Sequence, residues 1–213
     1  MIRTVTFASC YVYSPGGSGA ACDRSRLLRA LLKAGDARFL FKYADRVRQQ
    51  VAAQSPLAGF LCPAQVLVPI PGSAPTGAGA VSVAEHLATA LIDAGLGQCV
   101  WKGLYRVHAV RKSATAAPGS RPTVGAHYDS FAIDPTIELA AFSPAQIVLI
   151  DDVVTKGRTL LAAASRIHEA CPAAEIRAFA LLRTMGLIPG VEHLLDPCMG
   201  QIRWRAGDAH RNP

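Results

Sequence analysis

The sequence predicts an α/β fold with an open, mostly parallel β-sheet flanked by helices. Residues 146–154, QIVLIDDVV, begin with an apolar run of strand length, which is typical of a strand buried on both faces of a parallel sheet. Amphipathic helical patterns precede and follow this run. Strand, loop, helix and strand patterns alternate along the chain, which favours parallel strands joined by right-handed crossovers.

Four segments have helical patterns. The predicted helices cover residues 24–34, 37–53, 82–94 and 159–170. Gly35 separates the first two, and the second places apolar residues on one face and charged residues on the other. Ser82, followed three residues later by Glu85, forms a capping box at the start of the third helix. Pro172 ends the fourth helix.

The remaining segments are predicted strands and loops. The predicted strands lie within residues 65–71, 99–110, 130–133, 146–154 and 175–184. Residues 72–79, GSAPTGAG, form a loop with few bulky side chains, and residues 111–128 form a long mobile loop. We divide the chain into an N-terminal hood or helical segment (1–36), a core (37–200) and a C-terminal tail (201–213).

Composition indicates an ordinary globular protein. The 213 residues are 51% hydrophobic with a mean hydropathy of +0.25, which is sufficient for one sizeable core. No run of 18 apolar residues is present, and the first residues lack the pattern of an export signal. We therefore expect a soluble cytoplasmic protein without a membrane partner.

The net charge of +7 is unevenly distributed. Residues 1–60 hold nine Lys or Arg residues against three Asp residues. This excess suits a phosphate-rich partner, either a small molecule or a nucleic acid. The alternative is a solvated surface that keeps the protein soluble, which we favour for the cations of residues 24–48.

Cysteine and histidine spacing does not indicate a metal site built by the protein. The six cysteines include no CxxC pair, and the six histidines show no metal-ligand spacing. We expect the thiols to be reduced and mostly to fill the core. Among the histidines, only His127 lies beside the predicted mobile loop.

Asp151 and Asp152 end the apolar strand and are followed by the loop TKGRT, residues 155–159. Adjacent side chains on a strand point to opposite sides, so the two carboxylates can accept hydrogen bonds from two neighbouring hydroxyls, as in the vicinal diol of a ribose. Gly157, the flanking hydroxyls and a helix start suit a phosphate. The alternative is a helix cap and a solvated turn after a core strand.

This segment resembles the phosphoribosyl pyrophosphate (PRPP) signature of type I phosphoribosyltransferases. The resemblance implies that Asp151 and Asp152 hold the ribose hydroxyls. It also implies that the next loop wraps the 5-phosphate, with Lys156 where a small residue is more usual. The residues of that loop are Thr155, Lys156, Gly157, Arg158 and Thr159.

The order of elements over residues 38–185 is similar to the branch that includes the ComF-type competence proteins. By that resemblance, Pro71, Gly72, Ser73 and Ala74 contact pyrophosphate, and residues 111–128 form a flap over the diphosphate. The cations of the flap are Arg111, Lys112 and Arg121, of which the first two join the aspartates as catalytic residues. The implied fold is phosphoribosyltransferase-like, with a small hood built from one or both termini.

The implied reaction is displacement of pyrophosphate from ribose C1 by a nitrogen acceptor, a nucleobase or an amine, with Mg²⁺ on the diphosphate. The aromatic residues Tyr11, Tyr13 and Trp204 are candidates for stacking on a base, although packing is the more frequent role. We expect a homodimer. Two alternatives remain open: a non-catalytic module that binds PRPP or a nucleotide, and a nucleic-acid accessory protein of the ComF type in DNA uptake.

Overall fold

A computed structural model describes residues 1–75, 81–111, 121–136, 146–186 and 190–213. Residues 112–120, which include Lys112 and form half of the predicted flap, lie outside these residues. The strands are β1 (Thr4–Tyr13), β2 (Val66–Pro69), β3 (Cys99–Val100), β4 (Leu104–Arg106), β5 (Phe131–Ile133), β6 (Gln146–Val154), β7 (Glu175–Thr184), β8 (Leu195–Arg205) and β9 (Asp208–Asn212). The helices are α1 (Ala20–Ala34), α2 (Ala37–Ala52), α3 (Val83–Asp93), α4 (Val124–Ser130) and α5 (Arg158–Ala170).

A sheet of seven strands forms the centre of the protein, in the order β3-β2-β6-β7-β1-β8-β9. The first five of these strands run parallel, whereas β8 is antiparallel to β1 and β9 is antiparallel to β8. The remaining two strands, β4 and β5, form a separate antiparallel pair. The predicted α/β class with a mostly parallel sheet is confirmed.

Strand β6 is buried on both faces, as its apolar sequence predicted. Ile147 and Leu149 face one apolar core, while Val148 and Ile150 face the other, and all four are 0% exposed. Strands β2 and β7 pair with β6 on its two sides. The carboxyl end of β6 therefore lies among the carboxyl ends of the other parallel strands, near the middle of the sheet.

Helices cover both faces of the sheet. Apolar residues of α1, α2 and α3, including Leu28, Leu40 and Leu87, pack in one core. The other core contains Leu161 of α5 and Phe131 of the small β4–β5 sheet. The site at the end of β6 thus has three helices on one side, and α4 and α5 with the small sheet on the other.

Short polar signals set the helix boundaries. The Ser82 hydroxyl accepts a hydrogen bond from the Glu85 amide at 3.1 Å, as the capping-box pattern predicted. The Asp36 carboxylate caps α2 in the same way. Gly35 ends α1 with a φ of 69°, a left-handed conformation that glycine adopts without steric cost.

The chain termini differ from the sequence prediction. Residues 4–13, assigned above to a hood, form β1, which lies inside the sheet between β7 and β8. The segment assigned to a tail contains the end of β8 and all of β9. Neither strand shows a clear alternation of buried residues: in β1 all residues from Phe7 to Val12 are buried, including the polar Ser9, and in β8 only Ile202 is buried.

The predicted loop 111–128 also contains regular structure. Residues 124–130 form the short helix α4, whose first turn is capped by the Thr123 hydroxyl. Residues 112–120 lie outside the described residues.

All six cysteines are free thiols. In the part of the chain that the structure describes, none of the helices has the length and apolar character required to cross a membrane.

Candidate functional site

Asp151 and Asp152 lie at the carboxyl end of β6, and their carboxylates meet different parts of the protein. The Asp152 carboxylate forms an ion pair with Lys33 of α1. The charge of Asp151 acts instead on Arg106 of β4, which belongs to the opposite face of the sheet. The two acids have different partners, but they also act on each other: Asp152 makes a side-chain contact with Asp151, and the charge of Lys33 reaches both.

Asp151 is surrounded by protein while part of its surface stays accessible. Burial, followed by the charge of the neighbouring Asp152 carboxylate, raises the pKa of Asp151 well above its usual value. Asp151 Oδ1 also accepts a hydrogen bond from the Asp152 amide at 2.8 Å. A cation or hydrogen-bond donor that approaches the Asp151 carboxylate would favour its charged form and oppose this rise of the pKa.

The loop after β6 combines an exposed turn with a helix start that lacks a side-chain cap. Thr155 and Lys156 are exposed, and Gly157 adopts a left-handed conformation with a φ of 85°. Helix α5 begins at Arg158, and its N-cap residue, Gly157, has no side chain to accept a hydrogen bond from the amides of the first turn. Such amides, together with the positive end of the helix dipole, can bind an anion.

The two cations of this loop are both engaged by Asp208, the first residue of β9. Arg158 binds the Asp208 carboxylate through two hydrogen bonds of 2.5 and 2.7 Å, and Lys156 contacts it at 3.2 Å. The hydrogen bond from Arg158 is the main cause that lowers the pKa of Asp208 far below its usual range. The sequence reasoning did not identify Asp208, and no pattern around residue 208 distinguishes it.

Arg158 also connects the loop to the end of the predicted flap. Its guanidinium donates to the backbone oxygens of Arg121, at 3.5 Å, and Pro122, at 3.1 Å. The structure therefore brings Arg121 beside the loop, but its exposed side chain forms no ion pair within the described ranges. The guanidinium of Arg158, predicted to wrap a phosphate, is held by groups of the protein itself.

The two threonines of the loop lie against neighbouring elements. Thr155 Oγ1 is 3.2 Å from Thr184 Oγ1 at the end of β7, and Thr159 Oγ1 is 3.4 Å from His127 Nε2 in α4. Both hydroxyls therefore lie near the carboxyl edge of the sheet. Each uses one hydrogen bond within the protein and has capacity for a further hydrogen bond to a ligand.

Residues 71–74 follow β2, which pairs directly with β6, so this loop lies beside the two aspartates. Two carbonyl groups of this loop accept hydrogen bonds from β4 and the residues after it. Gly72 O accepts one from Arg106 Nε, and Ser73 O accepts one from the Val110 amide at 2.7 Å. Arg111, the next residue, is exposed. Both roots of the predicted flap, near residues 110 and 121, therefore lie next to the site.

Arg106 forms a buried network that the sequence reasoning did not identify. It is 5% exposed and donates to the Ser130 hydroxyl as well as to Gly72 O, while its Nη2 is 3.3 Å from His127 Nδ1. A chain of contacts thus runs from Gly72 through Arg106 and His127 to Thr159. The only sequence signal for this network is one arginine inside an apolar, strand-like segment.

The aromatic residues proposed for base stacking have other contacts. Tyr11 is 5% exposed, and its ring packs edge-on against Tyr43 at 5.2 Å. The Arg29 guanidinium lies 5.2 Å from the centre of the Tyr13 ring. Trp204 packs against the core from β8.

Two surface cavities of about 570 and 580 Å³ are lined by residues other than the acids and loops of the site.

No protein-family model matches the chain, and no curated protein matches its sequence at a significant level. The function is therefore argued from the geometry of the site.

Gly157 is predicted to be needed for its conformation and for its lack of a side chain. A Cβ atom at this position lies 2.6 Å from Ile202 Cδ1, and its positive φ adds strain. We expect Gly157→Ala to lower the free energy of unfolding by about 2–4 kcal/mol, measured by urea denaturation. Gly59→Ala is the control, because Gly59 also has a positive φ but has no described atom within 4 Å. Equal losses for the two variants would contradict the role of Ile202.

His127 is predicted to make the stability of the protein pH-dependent. Burial, followed by the charges of Arg106 and Arg158, lowers the pKa of His127 to about 4. Protonation therefore favours the unfolded chain, and stability present above pH 6.5 is lost as the pH falls towards 4. We expect His127 to account for about 3 kcal/mol of this loss, from a shift of about two pKa units or more.

Urea denaturation at several pH values between 7.5 and 4 measures this effect. His127→Gln should lose less stability over this range than the unmodified protein, whereas a variant of the exposed His210, His210→Gln, should follow the unmodified protein. Parallel curves for all three proteins would show that His127 does not contribute.

Proposed function

We propose that the protein binds PRPP at the carboxyl edge of its sheet and transfers the phosphoribosyl group to a nitrogen acceptor. One observation carries the proposal: the central strand β6 has two adjacent acids near its carboxyl end, followed by a left-handed glycine that offers no side-chain cap to the helix after it. The loop at residues 71–74 lies beside them on the next strand. This combination provides acceptors for a diol and donors for a phosphate within one stretch of nine residues, 151–159.

Each part of the ligand has a proposed partner. Asp151 and Asp152 accept hydrogen bonds from the two ribose hydroxyls, and the amides of residues 155–159 bind the 5-phosphate. The loop 71–74 binds the diphosphate, with Arg111, Lys112 and Arg121 of the flap closing over it. An acceptor nitrogen then forms a bond to ribose C1 as the C1–O bond breaks, and the bonding electrons leave with pyrophosphate. Charge stabilisation of that leaving group is the main contribution of the protein.

The acids also fit a magnesium ion. Mg²⁺ binds oxygen ligands, retains several waters and commonly takes one or two carboxylates together with phosphate oxygens. Asp151 offers such an oxygen, while Asp152 is already paired with Lys33. Within the described ranges, no group of three or more His, Cys, Asp or Glu side chains converges on a point. Asp151 and the ligand itself are therefore the proposed holders of the ion, which neutralises negative charge on the diphosphate when bound.

A second candidate function is a regulatory module that binds PRPP or a nucleotide without turnover. Two features favour it. First, several charged side chains of the site form salt bridges within the protein. Lys33 pairs with Asp152, and Asp208 pairs with Lys156 and Arg158. Second, the loop at residues 71–75 contains no cation of its own. An enzyme that stabilises a departing pyrophosphate needs positive charge there, whereas a binding module does not.

The acids and the loop are predicted to be needed for binding. Asp152→Asn removes a charged acceptor, and Thr159→Ala removes a hydroxyl at the helix start. We expect each change to abolish detectable PRPP binding in the presence of Mg²⁺, measured by isothermal titration calorimetry, a loss of at least about 30-fold for a charge-assisted contact.

Lys33→Met is the matched control for Asp152→Asn. It breaks the same ion pair but keeps the carboxylate, so binding should be retained or become tighter. If both Asp152→Asn and Thr159→Ala bind PRPP like the unmodified protein, the proposed site is wrong. Release of pyrophosphate with a panel of nucleobases and amines then separates the two candidate functions, since binding without release favours the regulatory module.

Asp208 is predicted to compete with a bound phosphate. Asp208→Asn frees Lys156 and Arg158, so we expect ribose 5-phosphate to bind a few-fold more tightly, while the free energy of unfolding falls by about 1 kcal/mol. Calorimetry and urea denaturation measure the two effects. Asp45→Asn is the control, because Asp45 binds Arg48 in a similar way on α2. Weaker binding of ribose 5-phosphate by Asp208→Asn would show that the carboxylate supports the site instead.

A further inference from the structure

Arg106 is a charged residue in the interior whose position is fixed from several directions. Its guanidinium lies 4.1 Å from the centre of the Phe131 ring, and it donates to Gly72 O and to the Ser130 hydroxyl. The third contact, to His127 Nδ1, is 3.3 Å. Burial of a cation is costly unless the charge is used or compensated, so this placement calls for a partner.

The charges around Arg106 do not compensate it fully. In the described residues it forms no salt bridge, and the nearest carboxylate that acts on it is Asp151. His127 does not supply a negative charge, because its ring is neutral at physiological pH. The surrounding acceptors are a backbone carbonyl, a hydroxyl and a ring nitrogen. The guanidinium of Arg106 therefore places a positive charge directly against the loop at residues 71–74, near the end of β6.

We infer that Arg106 is a positioning residue of the diphosphate half of the site. It holds Gly72 by its carbonyl, which fixes the loop, and it provides the positive charge that residues 71–75 lack. This inference rests on the proposed function and adds to it the residue that positions the diphosphate loop and supplies positive charge behind it. Arg106 belongs to strand β4, so its position is set by the fold before the ligand arrives.

Arg106 also joins the two phosphate-binding halves of the site. His127 lies between Arg106 and the Thr159 hydroxyl at the start of α5, so a shift of one loop is transmitted to the other through three side chains. Ligands with phosphoryl groups at both ends of the ribose should benefit most from this arrangement. PRPP and ribose 5-phosphate differ in the diphosphate at C1, so comparing them isolates the role of Arg106.

Calorimetry of the full chain tests the inference with three ligands in the presence of Mg²⁺: PRPP, ribose 5-phosphate and inorganic pyrophosphate. We expect Arg106→Gln to weaken binding of PRPP and pyrophosphate at least about tenfold, while ribose 5-phosphate binds within about twofold of the unmodified protein. A purely structural role for Arg106 would change all three affinities together. Thermal denaturation of each variant shows whether it folds.

Two further variants complete the design. Arg106→Lys keeps the charge but loses the planar set of donors, so it should weaken PRPP binding less than Arg106→Gln, and it serves as the test if Arg106→Gln does not fold. Arg166→Gln is the matched control. Arg166 similarly lies 3.9 Å from an aromatic ring centre, that of Tyr128, and donates to a backbone oxygen, Phe131 O, but it does not contact residues 71–74.

The outcomes separate the inference from the proposed function. A selective loss of PRPP and pyrophosphate binding supports the inference. An equal loss for all three ligands, no loss, or the same loss in Arg166→Gln overturns it. If the unmodified protein does not bind ribose 5-phosphate or PRPP, the proposed function fails. In that case binding of pyrophosphate that depends on Arg106 still supports a diphosphate site, and absence of pyrophosphate binding overturns the inference as well.

Discussion

The parallel pairing of β6 with β2 and β7 is the constraint on which the site depends. Because β6 is paired on both sides, its register is fixed by β2 and β7, and a shift by one residue would move every side chain, including those of Asp151 and Asp152, to the other face of the sheet. This register places Asp151 and Asp152 beside the loops that follow β2 and precede α5. The position of the site is thus a consequence of the packing of the sheet.

The charged residues of the site are arranged around internal partners. Lys33 meets Asp152, and Asp208 meets both cations of the loop at residues 155–159. Ion pairs of this kind hold the loop in one conformation, and a ligand has to exchange with them when it binds. Arg106 differs because its hydrogen-bond partners are uncharged. The site therefore combines charges that are paired in salt bridges with the buried Arg106, on which the charge of Asp151 acts without a salt bridge within the described ranges.

Much of the fold could be predicted from local patterns. The capping box at Ser82, the turn at Gly35 and the apolar run of β6 each depend on neighbouring residues only, and the structure contains the elements they predicted. The strands at the termini were missed for the opposite reason. Both strands form by pairing with distant strands, and their burial leaves no clear local period: β1 is buried from Phe7 to Val12, whereas in β8 only Ile202 is buried.

For the site, the sequence by itself determined the order of the acids, Gly157 and the hydroxyls of the loop, because their spacing is fixed by the chain between strand and helix. Only the tertiary structure decided which groups from elsewhere meet them. Lys33, Arg106 and Asp208 come from α1, β4 and β9, and their contacts with the site span at least 34 positions in the chain. Such contacts result from the packing of helices and strands on the sheet, which no local pattern of residues records.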